Sequence, residues 1–296
     1  MKILVTGSEG QLGRDLIPRL KAAGHDVCGY DVGSLDITDA AKTSELVAAE
    51  KPFVIINCAA YTQVDKAETE RDAAYAVNRD GAANLAQAAA RCKARLIHIS
   101  TDFVFDGLKS TPYAEADAVN PLSVYGASKL AGEEAVAGRL PEHIIVRTAW
   151  LYGGQGNNFV KTILRLASER ESLNIVYDQI GTPTWTSDLS DAIVLTVKAV
   201  ESGKTPYGVY HYTNEGVASW YDFAVAIVEE ARRRGLKVKC NSLEPILTSG
   251  YPTPAKRPAY SVLDKEKFKK TFGVEIPYWR VSLKNMMTEL YGGGIA

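Results

Sequence analysis

Tyr125 and Lys129 stand four residues apart in the segment VYGASK, a spacing that on a helix puts both side chains on one face. A phenol titrates near ~10 in water, and a neighbouring ammonium favours its phenolate, so the pair can hand a proton to a reacting oxygen near neutral pH. The same spacing also arises where an exposed cation simply lies beside a half-buried aromatic. Its weight therefore depends on what surrounds it.

The chain opens KILVTGSEGQLGRDLIPRL, an apolar strand pattern running into glycines and then into an amphipathic helix. Gly7 suits a tight turn, Gly10 lets backbone N–H groups approach a pyrophosphate, and Gly13 allows close helix packing. The helix N-terminus would offer partial positive charge to phosphates. The spacing is GxxGxxG in place of the GxGxxG pattern, and the alternative is a loop whose glycines only turn the chain. A second strand-like run, HDVCGYD, ends in Asp31, near the distance of about 20 residues at which an acid meets the adenosine ribose hydroxyls. Asp31 there favours an unphosphorylated ribose and hence NADH; a solvated aspartate at a strand end is the other reading.

Stepping outward, apolar strand runs alternate with helical patterns: FVIINCAAY, a helix from Ala73 to Cys92, ARLIHISTD, the Tyr125 helix, and HIIVRTAW. That alternation predicts an α/β fold with a doubly wound parallel sheet of Rossmann type. In such sheets ligands gather at the carboxyl ends of the strands. The glycine turn, Asp31, Ala59 to Thr62, Ser100 to Asp102 and Trp150 all fall there, which argues for one shared site.

Past Trp150 the texture changes to a GGQGNN turn, a helix from Phe159 to about Arg170, the loop DQIGTPTWTS, the helix DLSDAIVLTVKAV and the strand GVYHYTN. A helix SWYDFAVAIVEEARRRG follows, then EPILTSGYPTPAKRPAYSVL, whose prolines oppose regular structure. The expected division is a dinucleotide-binding domain over 1–150, joined by about 187–214, and a smaller α+β substrate lobe over 151–186 and 215–296. Arg257 and Lys256 in the proline-rich loop could meet a ligand phosphate, or be solvated loop cations.

Composition narrows the function classes. The 296 residues are 46% hydrophobic, with 34 basic and 35 acidic side chains interspersed and a formal net charge of −1. That balance excludes a basic nucleic-acid surface, and the cluster Arg232 to Arg234 suits the end of a helix. No apolar run approaches the ~18 residues of a membrane span, and with no leader pattern at the start the expected compartment is the cytoplasm. Cys28, Cys58, Cys92 and Cys240 are scattered without CxxC, as reduced core residues would be. His25, His98, His143 and His211 lack ligand spacing, so no protein-built zinc site is expected.

These motifs together resemble the extended short-chain dehydrogenase/reductase family almost end to end. The carriers are TGSEGQLG, CAAYTQVDKAE, ISTDFVFDG, NPLSVYGASKLAGE, RTAWLYG, GNNFVKTILRLA, DQIGTPT and YPTPAKRP. The glycine turn and YxxxK mark the superfamily, whereas STDFVFDG, NPLSVYGASKLAGE and YPTPAKRP mark a branch acting on nucleotide sugars. That resemblance implies reduction of the C4 ketone of dTDP-4-dehydro-L-rhamnose to dTDP-L-rhamnose, with NADH or NADPH. It implies Tyr125 as proton donor, Lys129 as the group that lowers its pKa and holds the nicotinamide ribose, and Thr101 as the partner of the substrate carbonyl oxygen. It also implies that Gly10, Gln11, Leu12, Asp31, Asp36, Ile37, Ala60, Tyr61 and Thr62 touch the dinucleotide, with Asp102 and Trp150 on the sugar side.

Three departures accompany the resemblance. Phe103 stands where the family usually has tyrosine. Some members carry magnesium at a homodimer interface through acids in the first helix and in the helix after DQxGxPT; Asp15 matches the first, but Ser187 replaces the second glutamate, with Asp188 and Asp191 nearby. Asp31 favours NADH although members also accept NADPH. The rival readings are a sugar-nucleotide 4,6-dehydratase, which Phe103 disfavours because the acid usually follows Thr-Asp, an epimerase with the same Tyr and Lys, and a non-catalytic subunit, a relative of which regulates methionine adenosyltransferase. Both residues of the Tyr–Lys pair are retained here.

Overall fold

A computed structural model describes residues 1–204 and 206–292. In chain order the first part runs β1 (Lys2–Thr6), α1 (Gln11–Ala22), β2 (Asp26–Tyr30), α2 (Ala40–Glu50), β3 (Val54–Asn57), α3 (Ala82–Cys92), β4 (Arg95–Thr101), α4 (Val124–Ala137) and β5 (His143–Thr148). The second part contributes α5 (Phe159–Glu169), α6 (Thr186–Glu201), β6 (Gly208–His211), α7 (Trp220–Arg233) and α8 (Trp279–Tyr291).

The six strands form one sheet in the order β6-β5-β4-β3-β1-β2. Every pair in it is parallel, as expected from the alternation of strands and helices. A parallel sheet covered on both faces needs strands that are apolar throughout, and all four residues of β3 are buried. Along β1, Ile3 and Val5 join one core with Leu16 of α1 and Leu189 of α6, while Leu4 joins another with Val47 of α2 and Leu85 of α3. The strand GVYHYTN does return to the sheet, as its outer edge beside β5.

A separate core gathers Val160 and Ile163 of α5, Phe223 and Ile227 of α7, and Leu283 and Met286 of α8. One boundary differs from the sequence reading. Phe268 and Ile276 pack with the sheet core, because the Phe268 ring meets Tyr210 and Tyr212 edge-on, so this stretch sides with the first core and not the second. The proline-rich segment is also more regular than expected at its start: Ser242–Ile246 pairs in parallel with Ser172–Val176, in a two-stranded sheet. Pro245 is tolerated because that strand has one edge without a partner strand.

The expected helix from Ala73 to Cys92 is interrupted. Arg71–Tyr75 is α-helical, Ala76–Gly81 is a π-helical turn, and α3 then continues. Such bulges cost regularity and commonly serve a site; here the turn carries Asn78, which is buried.

Candidate active site

A cleft of about 920 Å³ opens along the carboxyl ends of the strands. Gly7, Gly10, Gln11, Leu12, Asp31, Asp36, Ile37, Ala59, Ala60, Tyr61, Thr62, Thr101, Asp102, Tyr125, Lys129, Trp150 and Arg257 all line it. Gly13 does not line it and packs beneath; Lys256 does not line it and is exposed.

The glycine turn fits a dinucleotide phosphate on its own geometry. Gly7 has φ +66°, and a Cβ there would lie 2.6 Å from the Ala59 nitrogen. At Gly13 a Cβ would lie 2.3 Å from the Gly7 oxygen, so the helix and the turn touch only because Gly13 lacks a side chain. Gly10 begins α1 with no side-chain cap and no acid in the first turn. The first N–H groups of α1 are thus left for an anion, at the positive end of the helix.

Asp31 lies at the end of β2 and accepts the Glu9 N–H at 2.9 Å, tying the glycine turn to the neighbouring strand while lining the cleft. Asp36 accepts both the N–H and the hydroxyl of Thr38. The Ala59–Thr62 loop is held by Asn78, whose Oδ1 accepts the Tyr61 N–H at 2.9 Å and whose Nδ2 donates to the Tyr61 carbonyl and the Ser128 hydroxyl. Asn78 thereby links that loop to α4, one residue from Lys129. Sequence reasoning missed it; a polar residue inside an apolar helical run was the available signal.

Helix α4 starts where Ser123, in extended conformation, accepts the Gly126 N–H at 3.2 Å. That cap sets Tyr125 in the first turn and Lys129 one turn on, so the two share a face as the spacing predicts. Burial pushes the Tyr125 hydroxyl up to about 12; a hydrogen bond with Thr101 pulls it down and the Asp102 charge pushes it up. Burial is the largest of these causes, so the phenol of the free site is held protonated. The Lys129 Nζ donates to the Ile99 carbonyl at 2.6 Å, and burial brings its pKa down to about 8, opposed by Glu133 and Cys58.

Thr101 ends β4; its Oγ1 donates to Asp102 at 3.1 Å and accepts the Phe103 N–H at 3.2 Å. Burial raises Asp102 to about 6, opposed by the neighbouring Ser261 and Thr101 hydroxyls. Its Oδ2 is buried without a hydrogen-bond partner among the described residues. A carboxylate oxygen left so is costly unless something completes it, and Asp102 lines the cleft. Phe103 packs edge-on against the Tyr125 ring at 5.5 Å, so the missing tyrosine is replaced by an apolar buttress.

Behind this group, Glu133 accepts three hydrogen bonds from Arg147, from Nε at 2.9 and 3.2 Å and from a terminal nitrogen at 2.7 Å, together with the Ser100 hydroxyl. The clasp joins α4 to β4 and β5, the three elements that present Tyr125, Thr101 and Trp150. Arg257 also lines the cleft, but its fork is engaged by Asp65 at 2.9 and 2.8 Å.

The residues around Asp15 do not suit a divalent ion. Arg19 donates to the Ser187 hydroxyl and lies 3.1 Å from Asp191, so a guanidinium already stands where a cation would have to sit between them. Asp15 accepts the Thr186 hydroxyl, and Asp188 accepts Asn214 and Ser282. Among the described residues no cluster of three His, Cys, Asp or Glu side chains could hold a metal.

The model of the RmlD substrate binding domain family matches residues 1–291. The chain belongs to the RmlD substrate binding domain family. Among curated relatives, the dTDP-4-dehydrorhamnose reductase of Aggregatibacter actinomycetemcomitans is 45% identical, covering 96% of this chain and 98% of its own. That of Escherichia coli K12 is 41% identical, covering 98% of each. Among solved structures, a dTDP-4-dehydrorhamnose reductase from Clostridium acetobutylicum superposes with TM-score 0.91 at 46% identity, over 98% of this chain and 99% of its own. The Bacillus anthracis reductase in complex with NADP gives TM-score 0.90 at 40% identity, over 97% and 99%. This RmlD-family chain thus shares the relatives' fold over nearly its whole length, with a Rossmann-type parallel sheet.

Proposed function

We propose that this RmlD-family chain is an NAD(P)H-dependent oxidoreductase that reduces the C4 ketone of dTDP-4-dehydro-L-rhamnose to dTDP-L-rhamnose. The observation that carries the reading is a single cleft lined by an uncapped helix N-terminus at one end and by Tyr125, Thr101 and Lys129 at the other. Curated relatives of this length and identity are named for that reaction.

The first turn of α1 would hold the pyrophosphate, Asp31 the adenosine ribose, and Lys129 the nicotinamide ribose. When bound, the reduced nicotinamide supplies a hydride to the keto carbon. The protein's share is to aim the ketone and to meet the charge that grows on its oxygen, with the hydroxyls of Thr101 and Tyr125 as donors. A phenol near 12 is fully protonated at neutral pH, as a proton donor must be, and an alkoxide is basic enough to take its proton. Lys129, cationic below about 8, then offsets the phenolate left behind. The unpartnered oxygen of Asp102 is suited to accept a sugar hydroxyl, and Trp150 to pack against the hexose. Phe103 supplies no carboxyl where a dehydratase acid would stand.

The Asp31 carboxylate at the adenosine end, and the absence among cleft-lining residues of any arginine besides Arg257, support NADH over NADPH. We also propose a dinucleotide-binding domain of 1–150 with 187–214, a substrate lobe from the remainder except the stretch around Phe268, a cytoplasmic setting and a homodimer. Among the described residues no helix is long and apolar enough to cross a membrane; light scattering on the purified chain tests the dimer.

The test follows reduced-nicotinamide absorbance with the 4-keto product of a coupled dTDP-glucose dehydratase and 3,5-epimerase. Oxidation that requires the epimerised sugar is the expected result. Equal rates with the unepimerised sugar, or no oxidation at all, would overturn the substrate assignment.

A further inference from the structure

Trp150 has φ +48°, a left-handed conformation that a bulky residue keeps only where its surroundings over-determine it. It lies two residues past β5, and its ring is held from outside the sheet. The Trp220 indole stacks on it with ring centroids 3.5 Å apart and planes 6° from parallel. Trp220 opens α7 in the other hydrophobic core, is backed by the Phe159 ring at 4.6 Å, and donates from Nε1 to Gln179 at 3.2 Å. Gln179 in turn donates to the Thr248 hydroxyl at 3.1 Å. Gly181 abuts the same Trp150 ring: a Cβ there would fall 2.7 Å from Cε2 and 2.9 Å from Nε1. Both tryptophans line the cleft.

We propose that Trp220 is a positioning residue for the nucleotide sugar, acting through Trp150. The inference rests on the reductase reading of this cleft. The stack holds Trp150, just past the end of a sheet strand, onto the second core, and it compensates the backbone strain that turns Trp150 toward the sugar end. With an aliphatic side chain at 220, the Trp150 backbone relaxes and its ring leaves that wall. The glycine turn and Asp31 lie at the far end and are not disturbed.

The test compares Trp220→Leu and Trp220→Phe in steady-state kinetics, varying the nucleotide sugar and NADH separately. An aromatic pair contributes enough for Trp220→Leu to raise the KM of the sugar up to about tenfold, with the KM of NADH unchanged. Trp220→Phe, which still offers a ring, recovers most of that loss. Should Trp220→Leu fail to fold, Gly181→Ala displaces Trp150 from the other contact and is expected to give the same selective rise. Sugar KM unchanged in Trp220→Leu or in Gly181→Ala, or both KM values rising together, would overturn the inference alone. No turnover by the wild-type chain would instead overturn the reductase reading.

Discussion

Exchanging Glu133 for glutamine removes the carboxylate that balances Arg147 in a place water does not reach, since both side chains are only 5% exposed. The amide retains the volume and one acceptor, so the perturbation is electrostatic. Breaking a buried pair on one side leaves an uncompensated charge and costs about 3–5 kcal/mol. For a chain of 296 residues, an unfolding entropy of about 2.1 cal/mol/K per residue gives roughly 0.6 kcal/mol/K, and hence a fall in Tm of roughly 5–8 °C. Thermal unfolding followed by far-UV circular dichroism reads it. The control is Glu133→Gln combined with Arg147→Met, which removes the stranded cation and should recover much of the loss. A shift below about 1 °C in the single variant, or a double variant less stable than the single one, would refute the view that this clasp is a mutually dependent buried pair.

Three further outcomes are expected. The pH profile of kcat/KM should be bell-shaped, rising through about 6 as Asp102 ionises and falling above about 8 as Lys129 loses its proton. Asp102→Asn should remove the acid limb and Lys129→Arg the alkaline limb; limbs that persist in those variants would dissociate them from these residues. Wild-type kcat/KM should favour NADH over NADPH by on the order of tenfold, because a 2′-phosphate would face the Asp31 carboxylate, and Asp31→Asn should narrow the ratio, whereas an unchanged ratio would remove Asp31 from cofactor choice. Treatment with EDTA followed by dialysis should leave turnover unchanged and added magnesium should not raise it, since Arg19 already donates to Ser187 and pairs with Asp191; loss of turnover on chelation would contradict that.

Much of the sheet could be read from local pattern, because a strand buried on both faces must be largely apolar and residues 54–56 or 144–146 can hardly be anything else. The site was legible for the same reason: in a parallel sheet, strand ends converge, so Gly7, Thr101 and Trp150 were bound to meet. What was hidden depended on contacts distant in sequence. Nothing near Trp220 announces that it stacks on Trp150, and nothing near Asp65 announces that it takes the fork of Arg257. The rise of the Tyr125 hydroxyl was not legible, because spacing fixes a shared face whereas burial, the largest cause, depends on packing distant in sequence. The π turn at Ala76–Gly81 was invisible because its composition is that of an ordinary helix, and only its packing against α4 reveals the function of Asn78.

The central claim is that the Tyr125 hydroxyl delivers the proton that completes reduction of the sugar ketone. It is tested most directly by the kcat of Tyr125→Phe with the 4-keto nucleotide sugar, alongside NADH affinity by fluorescence titration. A fall in kcat on the order of 10²-fold or more with NADH affinity retained is the predicted result; turnover near that of the wild type would contradict it.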